Sequence, residues 1–206
     1  MERREVSSRS NGIIRTMAAR LAATSVTANQ ISAFSVLASL LVPAGLFILT
    51  GGAGTLVAVL GIQLRLLANV IDGLVAVEGG KSSPVGALYN EFPDRIADSI
   101  ILVSVGYFAG SDWLGWLCAL LAALTAYVRV FGGALGQPQA FLGPMAKQHR
   151  MAVVTAALIA APLLSRVWPA STTLTTALWI VAVGSFVTCI TRTRDITRQL
   201  NSGVSQ

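Results

Sequence analysis

The feature that most constrains this chain is a run of 20 residues without a single charge, Ile31 to Thr50. A helix that crosses a membrane needs about 20 predominantly apolar residues, so this run predicts a transmembrane helix. The composition agrees, because 54% of the residues are hydrophobic and only 12% are charged, whereas charged residues make up about a quarter of an average soluble domain. We therefore expect an all-α, polytopic membrane protein.

Further apolar runs, separated by charged or glycine-rich segments, predict six spans in all. They cover residues 31–50, 54–77, 86–110, 113–130, 151–167 and 173–191. Thr27 and Asn29 can cap the first span, because their side chains accept hydrogen bonds from free helix amides. Glycines at 51, 52 and 54 predict a tight turn before the second span.

Residues 13–23 place Ile13, Met17 and Leu21 on one helical face, with Arg15 and Arg20 elsewhere. This pattern predicts an amphipathic helix lying on the membrane surface, with a disordered basic tail as the alternative. We expect one membrane domain over residues 1–206, divided into a cytoplasmic tail with the surface helix (1–28), a six-helix bundle (29–191) and a cytoplasmic basic tail (192–206).

The basic residues predict the orientation. With six spans, all of the 15 Lys and Arg residues except Arg166 fall on one side, and that side is the cytoplasmic one. We expect both termini in the cytoplasm, in a bacterial inner membrane, with no secretory signal at the N-terminus. Orientation and contact with anionic lipid account for the net charge of +6, so we expect no nucleic-acid partner.

Polar side chains concentrate between residues 69 and 98, where two predicted spans meet the same membrane face. Asn69 and Asp72 are three residues apart on the second span, and Asn90, Asp94 and Asp98 are each four apart on the third. Such spacings place each set on one helical face. Because ionisable groups at membrane depth are costly, this cluster predicts a functional site on the cytoplasmic side.

Carboxylate and amide oxygens are ligands of Mg²⁺, Mn²⁺ or Ca²⁺, whereas the His and thiolate ligands preferred by zinc do not occur in this stretch. Gly73 and Gly86 remove bulk where a ligand carrying phosphate would approach the backbone. The structural alternative is that the polar groups satisfy one another and Arg95 at a helix junction.

The stretch resembles the signature of the CDP-alcohol phosphotransferases, D-x2-D-G-x2-A-R-x8-G-x3-D-x3-D. From residue 69 to residue 94 this chain reads N-x2-D-G-x2-A-V-x8-G-x3-N-x3-D, so every spacing is kept. Six spans with a cytoplasmic site on the second and third are also similar to that family. Three positions depart from the signature: Asn69 and Asn90 replace aspartates, and Val77 replaces the arginine.

The resemblance implies an integral membrane enzyme of phospholipid biosynthesis. An alcohol acceptor would attack the phosphoryl group of a CDP-linked donor, CDP-diacylglycerol or another CDP-alcohol, and CMP would leave. In family members four aspartates hold two divalent ions. Carried over to this chain, Asp94 is the catalytic base and also a metal ligand, with Asn69, Asp72 and Asn90, and Asp98 as an additional candidate. The cofactor is Mg²⁺ or Mn²⁺, as one or two ions.

With two asparagines, only Asp72 and Asp94 would supply charge to the ions, a total of −2 instead of −4. The substrate pyrophosphate could supply the missing charge, or a single ion could bind. The remaining expected contacts follow from the resemblance and from the basic residues at the same membrane face. They are Gly73, Ala76, Gly86 and Arg65 for the donor, and Arg129, Lys147 and Arg150 for the acceptor or a lipid phosphate.

Other functional classes remain open. A non-catalytic protein of the same fold, which binds a CDP-lipid or assists a partner enzyme, would also show lost carboxylates, although decay would be expected to bring in apolar residues too. A transporter is disfavoured because no inverted repeat of the cluster follows in the second half. The expected partners include membrane lipids. Small residues at 119–126 pack either within the bundle or across a homodimer.

Overall fold

The computed structural model describes residues 12–81 and 83–203, and every helix or strand found in these residues is an α-helix. The predicted all-α class is therefore confirmed. The helices are α1 (Gly12–Ala22), α2 (Ala28–Ser39), α3 (Leu41–Phe47), α4 (Gly51–Val77), α5 (Gly86–Phe108), α6 (Asp112–Ala134), α7 (Lys147–Leu164) and α8 (Ala170–Gly203). Residues 1–11 of the predicted tail, Ser82 of the first loop and residues 204–206 lie outside the described residues.

Four helical segments among the described residues are long and apolar enough to cross a membrane. They are Ala28–Phe47, which combines α2 and α3, then Gly51–Val77, Asp112–Ala134 and Ala170–Ser202. The helices α5 and α7 coincide with the third and fifth predicted spans but do not belong to this group. Charged side chains in the first half of α5 lower its hydropathy, so the count of six spans stays a prediction.

The first predicted span is two helices, since α2 ends at Ser39 and α3 begins at Leu41. Thr27 caps α2 in a capping box. The Gln30 backbone N–H donates a hydrogen bond to Thr27 Oγ1, and the Thr27 backbone N–H donates one to Gln30 Oε1. The expected cap at Asn29 is wrong. Asn29 lies inside the first turn of α2, and its side chain instead donates to Ser83 Oγ over 3.3 Å.

The predicted glycine turn is shorter than expected. Gly51 has a φ of +62°, which favours glycine, and it already begins α4. Gly54 is helical, and a Cβ built on it would collide with the carbonyl oxygen of Gly45 in α3. The glycines therefore let α3 and α4 pack at close range rather than only turning the chain.

The chain forms two compact units, divided between Ile101 and Leu102 within α5. In the first unit α1, α2 and α4 share a core of Ala18, Ala28, Ile31, Ala68, Ile71, Leu74 and Val75. Ala18 of α1 is buried, while Ile13 and Met17 are 73% and 41% exposed. Thus α1 packs one side inward and keeps a second apolar side exposed, and its contact with a membrane surface stays a prediction.

The second unit contains α6, α7 and α8. Its buried core includes Leu114, Cys118, Ala119, Ala122, Ala126, Met151, Val154, Leu158, Leu174, Leu178 and Val181. Ala119, Ala122 and Ala126 of the small-residue patch at 119–126 are buried in this core, so these three residues pack within the chain. The helix α8 continues without interruption from the predicted sixth span into the predicted basic tail, as far as Gly203.

Candidate functional site

A fully buried arginine joins the two helices that carry the polar cluster. Arg65 Nη2 of α4 lies 2.5 Å from Asp98 Oδ1 and 3.3 Å from Asp94 Oδ1 of α5. The Arg65 side chain is 0% exposed, and those of Asp94 and Asp98 are 8% and 2% exposed. Such a buried group of charges is costly to break, because removing one partner leaves an unpaired charge.

This contact fixes how α4 and α5 pair. Arg65 lies 12 residues before the end of α4, and Asp98 lies 12 residues after the start of α5. Arg65 and Asp98 are thus equally far from the connecting loop, so the two helices run antiparallel. Each helical turn of α4 between Arg65 and the loop then lies beside the corresponding turn of α5. Asn69 is one turn closer to the loop than Arg65, and Asp72 two turns. Their face of α4 is therefore the one presented to Asp94 and Asn90.

Asp72 is buried and held from a third helix. Ser32 Oγ of α2 donates to Asp72 Oδ2 over 2.6 Å, and both residues are 4% exposed. The sequence analysis missed Ser32 because it lies in the charge-free run. A signal was present, since Ser32, Ser35 and Ser39 recur at helical spacing and all three are buried.

The two asparagines of the motif have different surroundings. Asn69 is half-buried, and its side-chain nitrogen is buried without a hydrogen-bond partner in the described structure. Asn90 is exposed. Because the two ends of an amide are assigned from hydrogen bonding, turning the Asn69 amide over would place its oxygen at the unsatisfied position, where a cation would satisfy it.

The donor atoms fit one hard cation. Asn69, Asp72 and Asp94 can offer an amide oxygen and two carboxylates, which suits Mg²⁺ or Mn²⁺. Within the described residues no group of three His, Cys, Asp or Glu side chains is placed to hold a metal. Asp94 already faces Arg65 on one oxygen and Arg95 Nη2, at 3.5 Å, on the other. A second divalent ion at Asp94 would therefore lie close to a guanidinium group, which is unfavourable.

Arg65 is the main partner of the acids, in place of the Arg95 considered from sequence. Arg95 is only partly buried, and it also pairs with Glu91 at 3.5 Å. Asp98 Oδ1 pairs with Arg65 Nη2. The acids are thus neutralised from α4, which carries the other half of the motif, and not only from their own helix.

The small residues of the motif leave space. Gly73 and Ala76 are half-buried on α4, and Gly86 begins α5. A Cβ on Gly86 would meet Ser83 Oγ at 3.5 Å, an ordinary contact. Packing against the described residues therefore does not require glycine at this position.

The three basic residues expected for the acceptor belong to the second unit. Arg150 is 2% exposed, and its Nη1 donates to Thr125 Oγ1 over 3.3 Å and to the Met145 carbonyl over 3.0 Å. Arg129 Nη1 donates to Gln139 Oε1 over 2.7 Å, and its guanidinium stacks over Phe141.

Lys147 is half-buried at the first position of α7. Arg150 lies three residues later on the same helix, about one turn away.

Arg192 is a further buried arginine that the sequence analysis assigned to the basic tail. It is 6% exposed and donates to the carbonyl oxygens of Leu142 and Thr125. Thr125 thus accepts hydrogen bonds from both Arg192 and Arg150. A small cleft is lined by Arg129, Pro138, Ala140, Leu142, Arg192, Asp195 and Ile196. The only sequence signal for Arg192 is that it directly follows the last apolar run.

No family model matches the chain. Among curated proteins it is 32% identical to a phosphatidylinositol phosphate synthase of Streptomyces avermitilis over 146 residues, which cover 67% of this chain and 60% of that protein. It is 26% identical to a phosphatidylinositol phosphate synthase of Mycobacteroides abscessus over 140 residues, which cover 65% of this chain and 61% of that protein. The matched segment thus spans about three fifths of each relative.

Solved structures show the same fold. A crystal structure of the phosphatidylinositol phosphate synthase of Mycobacterium tuberculosis with CDP-DAG bound has a TM-score of 0.68 and 20% identity, and the match covers 90% of this chain and 94% of that chain. The same enzyme in complex with manganese and citrate also has a TM-score of 0.68 at 20% identity, with 89% and 88% covered.

Proposed function

The chain belongs to the CDP-alcohol phosphotransferase family, and from that premise we propose that it is an integral membrane phosphotransferase of phospholipid biosynthesis. It moves a phosphatidyl or other phospho-alcohol group from a CDP-linked donor to an alcohol acceptor and releases CMP. The observation that carries this proposal is the Arg65–Asp98 contact, which turns the Asn69 and Asp72 face of α4 toward Asp94 of α5. Similarity to two phosphatidylinositol phosphate synthases supports it.

The proposed reaction is a displacement at phosphorus. The acceptor hydroxyl oxygen forms a bond to the phosphorus that carries the lipid or alcohol, the bond from that phosphorus to the CMP oxygen breaks, and CMP leaves with the bonding electrons. Asp94 accepts the hydroxyl proton as general base. Its two flanking guanidinium groups, those of Arg65 and Arg95, orient the carboxylate.

One divalent cation, Mg²⁺ or Mn²⁺, would be held by Asn69, Asp72 and Asp94, and when bound it would neutralise charge on the diphosphate. Ser32 keeps Asp72 oriented for that role through its short hydrogen bond. Asn90 and Asp98 are weaker candidates as ligands, because Asn90 is exposed and Asp98 is bound to Arg65. A manganese complex of the Mycobacterium tuberculosis enzyme supports a divalent cofactor.

The donor is proposed to be CDP-diacylglycerol or another CDP-alcohol, since the structure of the Mycobacterium tuberculosis enzyme holds CDP-DAG. Gly73, Ala76 and Gly86 would leave room for its phosphates, and Arg65 would face them. Arg129, Lys147 and Arg150 would bind the acceptor or a lipid phosphate. Buried Arg192 joins that set, because it shares Thr125 with Arg150. Concentrated guanidinium groups suit a phosphorylated acceptor such as inositol phosphate.

We further propose six spans in a bacterial inner membrane, with both termini and the site in the cytoplasm, α1 on the membrane surface and a homodimer as the assembly. The near one-sided distribution of Lys and Arg supports the orientation. The exposed side chains of Ile13 and Met17 support contact between α1 and lipid.

The test is CMP release by purified protein in lipid, supplied with CDP-diacylglycerol, Mn²⁺ and an acceptor panel of inositol phosphate, glycerol phosphate and serine. We expect CMP with at least one acceptor, and none from Asp94→Ala. Glu78→Gln is the control, since Glu78 is an exposed acid at the end of α4 that pairs with exposed Arg15 of α1. If the protein binds nucleotide but releases CMP with none of the acceptors, the non-catalytic alternative is favoured, a CDP-lipid-binding or partner-assisting protein.

A further inference from the structure

We propose that Arg65 is a built-in cation of this site and takes the place of one of the two divalent ions implied by the family resemblance. The chain would then bind no more than one divalent cation. The inference rests on the proposed function, because it concerns the positive charge that faces the donor diphosphate. The family resemblance implies two divalent ions, whereas the described residues fit only one.

The geometry puts the guanidinium where a second ion would have to bind. Arg65 Nη2 contacts one carboxylate oxygen of Asp94 and one of Asp98, and it lies 3.5 Å from the main-chain oxygen of Asp94. The other oxygen of Asp94 faces Arg95. The first ion would use the remaining lone pairs of the Asp94 carboxylate, so a second divalent ion there would have to displace an arginine or lie against one, and like charges in a buried place repel strongly.

The charge balance points the same way. Asp72, Asp94 and Asp98 are buried carboxylates, and Arg65 is a buried guanidinium, so these four side chains together carry −2. Arg95 is partly exposed and is balanced by Glu91. One divalent cation neutralises the buried set, whereas two would leave an excess of +2. The amides of Asn69 and Asn90 coordinate as dipoles and add no charge.

Two further donors on Arg65 suit the substrate. Its Nε and Nη1 are buried and have no hydrogen-bond partner in the described structure. A guanidinium carries five N–H donors, and buried donors are costly to leave unsatisfied. Anionic phosphate oxygens are the acceptors that guanidinium groups bind best. Arg65 therefore supplies a positive charge that balances the acids and hydrogen-bond donors that can bind a diphosphate. These are the two functions expected of the second divalent ion.

The experiment titrates the full-length protein in lipid nanodiscs with Mn²⁺ alone and follows free Mn²⁺ by electron paramagnetic resonance. Wild-type protein should bind no more than one Mn²⁺ per chain. Arg65→Gln should bind one ion more, or bind its ion about tenfold more tightly, because a positive charge beside the ligands is lost. Arg65→Lys keeps the charge, so its titration with Mn²⁺ should match that of the wild-type protein.

Arg95→Gln is the matched control, since Arg95 also contacts Asp94 but is partly exposed and shared with Glu91. Its effect should stay below about threefold because solvent screens it. Two Mn²⁺ per wild-type chain would overturn the proposal, even if Arg65→Gln cannot be folded. An unchanged titration in Arg65→Gln, or an equal change in Arg95→Gln or Arg65→Lys, would overturn it as well.

The outcomes separate this inference from the proposed function. Two ions per chain together with CMP release would reject the role of Arg65 and leave the enzyme in place. A single ion without CMP release for any acceptor would reject the enzyme and leave the charge arrangement in place.

Discussion

Ser32 Oγ donates a hydrogen bond to Asp72 Oδ2 over 2.6 Å, and both groups are buried. The contact joins α2, part of an uncharged span, to the acid of α4 that the motif analysis singled out. A hydrogen bond from a hydroxyl fixes the orientation of a carboxylate. The candidate span that contains α2 therefore also orients Asp72.

Replacing Ser32 with alanine should reduce CMP release and weaken Mn²⁺ binding, because a buried oxygen of Asp72 loses a donor. We expect a loss of stability of about 1–3 kcal/mol. The measurements are CMP release under saturating donor and thermal unfolding in detergent. The matched control is Ser39→Ala, since Ser39 is also buried on α2 but donates to the Val36 carbonyl rather than to an acid. Equal activity in the two variants would argue against this role of Ser32.

The two motif asparagines should respond differently to restored charge. Asn69→Asp places a carboxylate at a half-buried position whose amide nitrogen is unsatisfied, so Mn²⁺ affinity should rise by about tenfold. Asn90→Asp changes an exposed residue, where solvent screens the new charge, so a smaller rise is expected. Isothermal titration of both variants without nucleotide measures the difference. A larger effect at position 90 would contradict the geometry of α4 and α5.

Gly54→Ala should destabilise the first unit by about 1–3 kcal/mol, because the new Cβ would collide with the backbone of Gly45 and force α3 and α4 apart. The measurement is the midpoint of thermal unfolding. Gly52→Ala is the matched control, since nothing lies within 4 Å of a Cβ there and alanine favours the helix. A stable Gly54→Ala protein would mean that these helices do not pack as closely as described.

Arg192→Gln should raise the KM for a phosphorylated acceptor and lower stability, because the carbonyl oxygens of Leu142 and Thr125 lose a charged donor. A loss of about 1–3 kcal/mol is expected. Arg194→Gln serves as the control, since Arg194 is exposed two residues later on α8. If both variants behave as wild type, Arg192 has no part in the acceptor site and the buried contacts contribute little.

Local periodicity predicted much of this fold. The charge-free run at 31–50, the three-residue spacing of Asn69 and Asp72 and the four-residue spacing of Asn90 and Asp94 depend only on neighbouring residues in a helix. The structure accordingly has helices at all six predicted spans and at the predicted surface helix. The break at Leu40 within the first span had no such signal, because apolar residues continue on both sides of it.

The partners of the buried charges could not be predicted in the same way. Arg65 and Asp98 are 33 residues apart, and which acid a buried guanidinium selects depends on how two helices pair in space. Sequence alone placed Arg65 at the donor and considered Arg95 as the partner of the polar groups. The contacts of Ser32 and Arg192 are likewise tertiary, since each joins segments at least 40 residues apart.

If α4 and α5 turn Asp72 and Asp94 toward one cation site beside Arg65, a bound metal ion should contact both carboxylates. Anomalous diffraction from crystals grown with Mn²⁺ locates that ion. We expect one anomalous peak per chain, within coordination distance of oxygens of both Asp72 and Asp94. A peak that contacts only one of these carboxylates, or two peaks between the helices, would contradict it.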